Sequence, residues 1–301
     1  MPNKVMTVIA NPAIAKLSQG VVENLNQILI SGNLTVEKPV WLAPEEACDL
    51  HFEGEYTPEI AEQVNLLLAN DPYDVVVQPN IRRRKKFLIA DMDSTMITIE
   101  CIDELADFVG MKAHVAAITE RAMNGELNFE EALTERVALL KDMNESVLQQ
   151  AYDERVNYTP GAKNLIQTMR AAGAFCVLVS GGFTFFTERV KDALGFNEQR
   201  ANTLEVKNGK LTGNVVLPIL GKEAKLAHLL HYASDLHVRA DEIIAVGDGA
   251  NDLPMLKAAG TGVAYHAKPN VRKEVNVQIN HTDLTSLLYL QGYRKDEIIA
   301  A

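Results

Sequence analysis

The spacing of apolar residues divides this chain of 301 residues into two regions that meet near residue 80. In the first, VMTVIA predicts a strand, and AKLSQGVVENLNQIL carries helical spacing at Leu17, Val21, Leu25 and Leu29. VEKPVWLAPEEACDLHFEG predicts one or two strands, TPEIAEQVNLLLAN a helix opened by Thr57-Pro58, and YDVVVQP a closing strand. The order βα-ββα-β predicts an antiparallel sheet with helices on one face.

The second region follows the basic run Arg82-Arg83-Arg84-Lys85-Lys86, which reads as a solvated connector. FLIADMD (87–93), AFCVLVSGG (174–182) and EIIAVGDG (242–249) are continuous apolar runs, the pattern of strands buried on both faces of a parallel sheet. Helical segments alternate with them, and short strands near GVAYH and VQIN complete the set. NTLEVKNGKLTGNVV places Asn208-Gly209 between alternating residues, which predicts a tight hairpin. Residues 97–157 are helical throughout and interrupt the alternation just after the first strand. The prediction is an α/β fold with a doubly wound, Rossmann-like parallel sheet. Its inserted helical cap would cover the strand ends where ligands bind. The domain boundaries are 1–81 for a small α+β unit and 82–301 for the core, with 97–157 as the cap.

A net charge of −11 argues against non-specific nucleic-acid binding, and an acidic substrate would need a local cation cluster. Cys48, Cys101 and Cys176 lie far apart without CxxC spacing, so neither a disulfide framework nor a zinc site is expected. The apolar runs are too short for a membrane span, and MPNKVMTVIANP lacks the pattern of a signal peptide. A cytoplasmic location is the expectation. Cys176 reads as a small core residue, Trp41 as packing for the first sheet, and His228 with His231 as ordinary helix residues.

Four segments carry candidate chemistry. Asp91-Met92-Asp93-Ser94-Thr95 ends an apolar strand, where the turning chain can bring both carboxylates to one site. Close carboxylates repel, so the pair suits a divalent cation together with a carboxyl that carries a proton. Ser180-Gly181-Gly182 offers a hydroxyl and backbone N–H groups to phosphate oxygens. Lys222 places an ammonium near a helix start. Gly247-Asp248-Gly249-Ala250-Asn251-Asp252 ends a second strand in an acidic, oxygen-rich loop of the kind that suits magnesium.

The order DxDST, SGG, Lys, GDGAND resembles the haloacid dehalogenase-like hydrolase superfamily, and the cap narrows the match to phosphoserine phosphatases of the SerB type. The resemblance covers residues 84–295, with Glu100, Met123, Asn128-Phe129 and Arg136 at the family's substrate positions. It implies that Asp91 is the nucleophile and Asp93 the general acid/base. Mg²⁺ would be held by Asp91, the Asp93 carbonyl and Asp248, with Asp252 in support. Ser180, Gly181 and Lys222 would hold phosphoryl oxygens beside Asn251. The implied reaction is hydrolysis of O-phosphoserine, the last step of serine biosynthesis. Residues 1–80 resemble, more weakly, a degenerate ACT-like domain, and the resemblance leaves room for a homodimer. Two other expectations remain open at this point. One is phosphoryl transfer to another hydroxyl such as that of homoserine; the other is a serine-sensing regulatory protein.

Overall fold

The computed structural model describes residues 3–300 apart from Gly125, and of Lys222 it describes the backbone alone. The first region folds in the order β1 (Lys4–Ala10), α1 (Gln19–Ser31), β2 (Thr35–Val36), β3 (Val40–Ala43), β4 (Ala47–Glu53), α2 (Pro58–Leu68) and β5 (Tyr73–Pro79). Its antiparallel sheet runs β2-β4-β1-β5, with β3 also paired to β4. The segment expected to hold one or two strands thus holds three. Ser18 starts α1 by accepting from the Val21 N–H, which satisfies a donor that a helix end leaves open. Alternation along β1 sends Met6, Val8 and Ala10 into the cluster beneath the helices. Ile9, together with Ala47 and Val76, joins the main core instead.

The second region continues with β6 (Phe87–Ala90), α3 (Cys101–Asp107), α4 (Lys112–Met123), α5 (Phe129–Ala138), α6 (Ser146–Arg155) and α7 (Ala162–Ala171). β7 (Phe175–Phe183), α8 (Thr184–Leu194), β8 (Glu198–Lys207), β9 (Lys210–Val216) and α9 (Lys222–Asp235) follow. The chain closes with β10 (Ile243–Gly247), α10 (Leu253–Ala258), β11 (Thr261–Tyr265), α11 (Pro269–Glu274), β12 (Val277–Ile279) and α12 (Ser286–Leu290). The seven-stranded sheet has the order β12-β11-β10-β6-β7-β8-β9, parallel except where β9 returns along β8. The β8–β9 turn is the expected one: Asn208 and Gly209 both have positive φ, at 54° and 72°. β6 lies between β10 and β7, and all four of its residues are buried. The carboxylates that follow it are therefore anchored at the centre of the sheet. Among the described residues, no helix is long and apolar enough to cross a membrane.

Helices α3 to α6 form the insertion, whose first helix starts at Cys101 and whose ends meet in a bridge between Ile97 and Tyr158. Residues 142–145, between α5 and α6, lie along the edge of β9. Asp142 N–H donates to Leu211 O, Leu211 N–H to Met143 O, and Glu145 N–H to Gly209 O, each at 2.9 Å.

The basic connector is not simply solvated. Arg83 forms a bidentate pair with Asp49 of β4, at 2.6 and 3.1 Å, and also donates to the carbonyls of Tyr289 and Leu290 on α12. Lys85 is buried and donates to Asp241 O at 2.8 Å. A guanidinium tolerates burial only where its donors are satisfied, and this one ties the small sheet to the core. Arg82 and Arg84 keep the surface character expected of them, pairing with Asp241 and Glu297. From β5, buried Asp74 accepts from the N–H groups of Asn280, His281 and Thr282 and from the Thr282 hydroxyl.

Candidate active site

Three strand ends converge beneath the cap. Asp91 follows β6, Ser180 and Gly181 lie at the end of β7, and Asp248 follows β10. Parallel pairing of β6 with both neighbours aligns these ends, which explains how residues more than 150 positions apart share a site. Carboxylate oxygens of Asp91, Asp248 and Asp252 lie within 4.8 Å of one another, and all three residues are buried.

One ammonium stands among them. Lys225 Nζ lies 2.7 Å from Asp91 Oδ1 and 2.6 Å from Asp252 Oδ1, and Lys225 is 1 % exposed. Burial disfavours its charge, but the carboxylates of Asp252 and Asp91 more than offset this and hold its pKa above the usual lysine value. Lys222, the lysine singled out from the sequence, begins α9 one turn earlier, and its side chain lies outside the described residues. The sequence reading missed Lys225, although a signal was present. Among the described residues of α9, Lys225, Leu229 and Tyr232 are buried at helical spacing, and a lysine on an apolar stripe calls for buried carboxylate partners.

Asp252 works as an anchor. Its Oδ2 accepts from the N–H groups of Asp248 and Gly249, and its Oδ1 accepts from Lys225. Gly247 has no side chain for a reason: a Cβ there would stand 2.4 Å from Asp252 Cγ. Asp248 Oδ1 accepts from the Thr95 hydroxyl at 3.2 Å. Burial, followed by the charges of Glu100, Asp252 and Asp91, raises the Asp248 pKa well above the carboxylate range. That of Asp91 is pushed up to about 7 by burial and by Asp252, with Lys225 pulling it down. Three buried carboxylates facing one ammonium leave negative charge uncompensated, and every donor is a hard oxygen. The cluster therefore fits a hard divalent cation.

Asp93 lines the same cavity, and burial pushes its pKa up to about 7, with the charge of Asp91 adding to the effect and a hydrogen bond from Cys101 opposing it. Ser94 adopts a positive φ of 55°, a conformation rare for a side-chain-bearing residue, and donates to Glu100 Oε1 at 2.6 Å. The turn thus aims Glu100 back over the strand ends. Ser180 is buried, and its Oγ accepts from the Gly182 N–H at 2.9 Å.

The sequence reading also missed Asn202. This buried residue donates to the carbonyls of Gly181 and Leu220 and accepts from the Leu220 N–H at 2.6 Å, fixing the end of β7 against the approach to α9. An isolated Asn in a strand gave no sequence signal for this bridge.

The inserted helices contribute to the lining of this cavity. Glu100, Met123, Phe129 and Arg136 line it together with Asp91, Asp93, Ser180, Gly181 and Asn251. Asn128 turns its carboxamide the other way, to the N–H groups of Glu130 and Glu131, and so caps α5. Arg136 is buried and donates to Ala132 O and to the Thr119 hydroxyl, which in turn donates to Asp103 at 2.6 Å. Burial pushes the Glu100 pKa up to about 8, with the charge of Asp93 adding to it. The cavity lining thus combines a carboxylate paired with an ammonium, hydrogen-bond donors, a second acid and a guanidinium.

Comparison with known proteins agrees with this geometry. The haloacid dehalogenase-like hydrolase family matches residues 88–257. A phosphoserine phosphatase of Polaromonas is 48% identical over 221 residues, which are 71% of this chain and 94% of that protein. The structure of a probable phosphoserine phosphatase from Vibrio cholerae is similar with a TM-score of 0.77 and 32% identity, covering 98% of this chain and 88% of that one. A structure described as a phospho-aspartyl intermediate analogue of phosphoserine phosphatase is similar with a TM-score of 0.66 and 39% identity, over 68% of this chain and 98% of the other.

Proposed function

The chain belongs to the haloacid dehalogenase-like hydrolase family, and we propose that it hydrolyses O-phosphoserine to serine and phosphate through a phosphoryl group carried on Asp91. The observation that carries the reading is one cavity lined by Asp91, Ser180 and Gly181 together with Glu100 and Arg136, with Lys225 paired to Asp91. A phosphate ester with an amino acid attached matches both sets of groups at once.

In the first step, an Asp91 carboxylate oxygen attacks phosphorus, and the bond to the seryl oxygen breaks with its electron pair leaving on that oxygen. A seryl alkoxide leaves poorly, so the proton on Asp93, whose pKa of about 7 keeps it available, passes to the departing oxygen. In the second step, Asp93 takes a proton from water as the water oxygen attacks phosphorus. The acyl phosphate bond then breaks, and Asp91 is regenerated as a carboxylate. Lys225 favours the ionised form of Asp91 and draws the phosphoryl oxygens toward it; Ser180 and Gly181 orient them. Arg136 would pair with the substrate carboxylate and Glu100 with its ammonium. Asp91, the Asp93 carbonyl and Asp248 would hold Mg²⁺, with Asp252 behind them; when bound, the ion neutralises the phosphoryl oxygens that would otherwise repel a carboxylate.

We read residues 1–81 as an ACT-like domain with the phosphatase domain after it, in a cytoplasmic enzyme of serine biosynthesis. The test is phosphate release from a panel of phosphomonoesters, with and without Mg²⁺ and with acceptor alcohols added. We expect metal-dependent release fastest from O-phosphoserine, unchanged by alcohols, and absent in Asp91→Asn. Transfer to an added alcohol at the expense of free phosphate would replace hydrolysis with phosphotransfer.

A further inference from the structure

Arg136 is a buried guanidinium without a direct counter-charge. Among the described residues it forms no ion pair with a carboxylate, and its hydrogen bonds run from Nε to Ala132 O at 3.0 Å and from Nη1 to Thr119 Oγ1 at 2.9 Å. Both N–H groups of Nη2 and the second one of Nη1 remain, enough for a bidentate pair with a carboxylate. A buried charge that lacks its partner is costly, and a ligand carboxylate would supply one.

The aim of those donors depends on Thr119. This residue of α4 is 3 % exposed and lines the cavity with Arg136. Its hydroxyl has one proton and two acceptors in reach: Asp103 Oδ1 on α3 at 2.6 Å, and Val115 O, one turn back on α4, at 3.0 Å. The carboxylate is both the nearer and the stronger acceptor. With the proton given to Asp103, the hydroxyl oxygen is left to accept from Arg136. The relay Asp103–Thr119–Arg136 thus joins α3, α4 and α5, and it steadies the guanidinium through a neutral hydroxyl. A direct Asp–Arg pair would do the opposite, occupying the donors that a ligand needs.

We propose that Thr119, backed by Asp103, is a positioning residue that aims Arg136 at the substrate carboxylate and so sets the selectivity for phosphate esters that carry one. The proposal rests on reading the cavity as a site for O-phosphoserine. Thr119 acts through Arg136 and touches none of the reacting atoms.

The experiment is steady-state kinetics on the full chain with O-phosphoserine and with phosphoethanolamine, which lacks the carboxylate. The wild type is compared with Thr119→Val, Thr119→Ser and Asp103→Asn, and Thr119→Val is repeated in the presence of Arg136→Ala. Thr119→Val keeps the shape and removes the hydroxyl, and Thr119→Ser keeps the hydroxyl. Thr119→Ala replaces the valine variant if that one does not fold. Loss of one hydrogen bond to a charged group predicts that KM for O-phosphoserine rises at least about tenfold in Thr119→Val, with kcat retained and phosphoethanolamine affected far less. Thr119→Ser should restore the wild-type KM, and Asp103→Asn should show the same selective rise to a smaller extent. Once Arg136 is alanine, Thr119→Val should add nothing, since a residue that acts through Arg136 has no further effect in its absence. An unchanged KM in Thr119→Val or Asp103→Asn, an equal loss for both substrates, or a full additional loss beside Arg136→Ala would overturn the proposal. A wild type that does not prefer O-phosphoserine to phosphoethanolamine would refute the substrate reading instead, and the proposal with it.

Discussion

Lys225 holds its ammonium 2.7 Å from Oδ1 of Asp91, at the centre of a site in which three carboxylates are buried. The lysine favours the ionised nucleophile against the burial that raises its pKa, and it limits the repulsion that would otherwise accompany folding. Lys225→Gln should therefore lower kcat by at least two orders of magnitude and cost about 3–5 kcal/mol in stability, the range for a buried ion pair that loses one partner. Added Mg²⁺ should recover much of the stability and little of the rate, measured by thermal melts and phosphate release on the same preparations. Lys222→Gln is the comparison. If its loss matched that of Lys225→Gln, the ammonium at the start of α9 would share the role inferred from the sequence.

Glu100 gives the site a pH signature. Its pKa is pushed up to about 8 from the ordinary value of 4.5, first by burial and then by the charge of Asp93. Below about pH 4.5, both folded and unfolded chains carry the proton, and Glu100 contributes no difference. Above it, the unfolded chain loses the proton while the folded chain retains it until about pH 8, so stability falls as pH rises through this window. Metal-free protein should therefore melt at progressively lower temperature from about pH 5 to about pH 8, with Glu100→Gln showing a shallower decline than the wild type. A variant less stable than the wild type at pH 8 would mean that Glu100 is ionised and paired in the folded protein.

Much of this site was legible because strand ends in an α/β protein carry their chemistry in the sequence. Asp91, Asp93, Ser180 and Asp248 each follow a buried apolar run, and strand pairing brings them together. Lys222 and Lys225 lie one turn apart on α9, and a motif read without its partners did not point to Lys225. Arg83 was misread for a related reason. A run of five basic residues looks solvated until Asp49, on a strand 34 positions earlier, is found opposite it. Asn202 gave no signal, since its contacts join the end of β7 to the segment before α9, which sequence spacing leaves unrelated.

The docking of the two sheets can be tested at Asp74, which holds three backbone N–H groups and a hydroxyl of residues 280–282. Asp74→Ala leaves those donors buried without an acceptor and should destabilise the protein by about 2–5 kcal/mol. Activity of the folded fraction should stay near the wild-type value, since Asp74 is remote from the cavity lining. A chain starting at Arg82 would lose Asp74, Asp49 and the Ile9 side of the first sheet together, and is expected to melt lower still. A truncated chain as stable as the full one would show that this interface contributes little.

Substrate identity turns on Arg136. The guanidinium is buried at the cap end of the cavity and held by Ala132 O and Thr119 Oγ1. If it also receives the substrate carboxylate, Arg136→Ala should lose about 2–5 kcal/mol of transition-state binding for O-phosphoserine. At about 1.4 kcal/mol per tenfold, kcat/KM should fall by more than an order of magnitude. Phosphoethanolamine, which lacks the carboxylate, should be a poor substrate for the wild type and respond far less to the mutation. Glu100→Gln should do the reverse, harming O-phosphoserine more than esters that carry a carboxylate but no ammonium. Arg136→Lys should recover part of the loss, because an ammonium keeps the charge without the bidentate fork. An equal fall for every phosphomonoester would mean that Arg136 supports the cap alone. The chemistry at Asp91 would then stand, and the selectivity for phosphoserine would need another source.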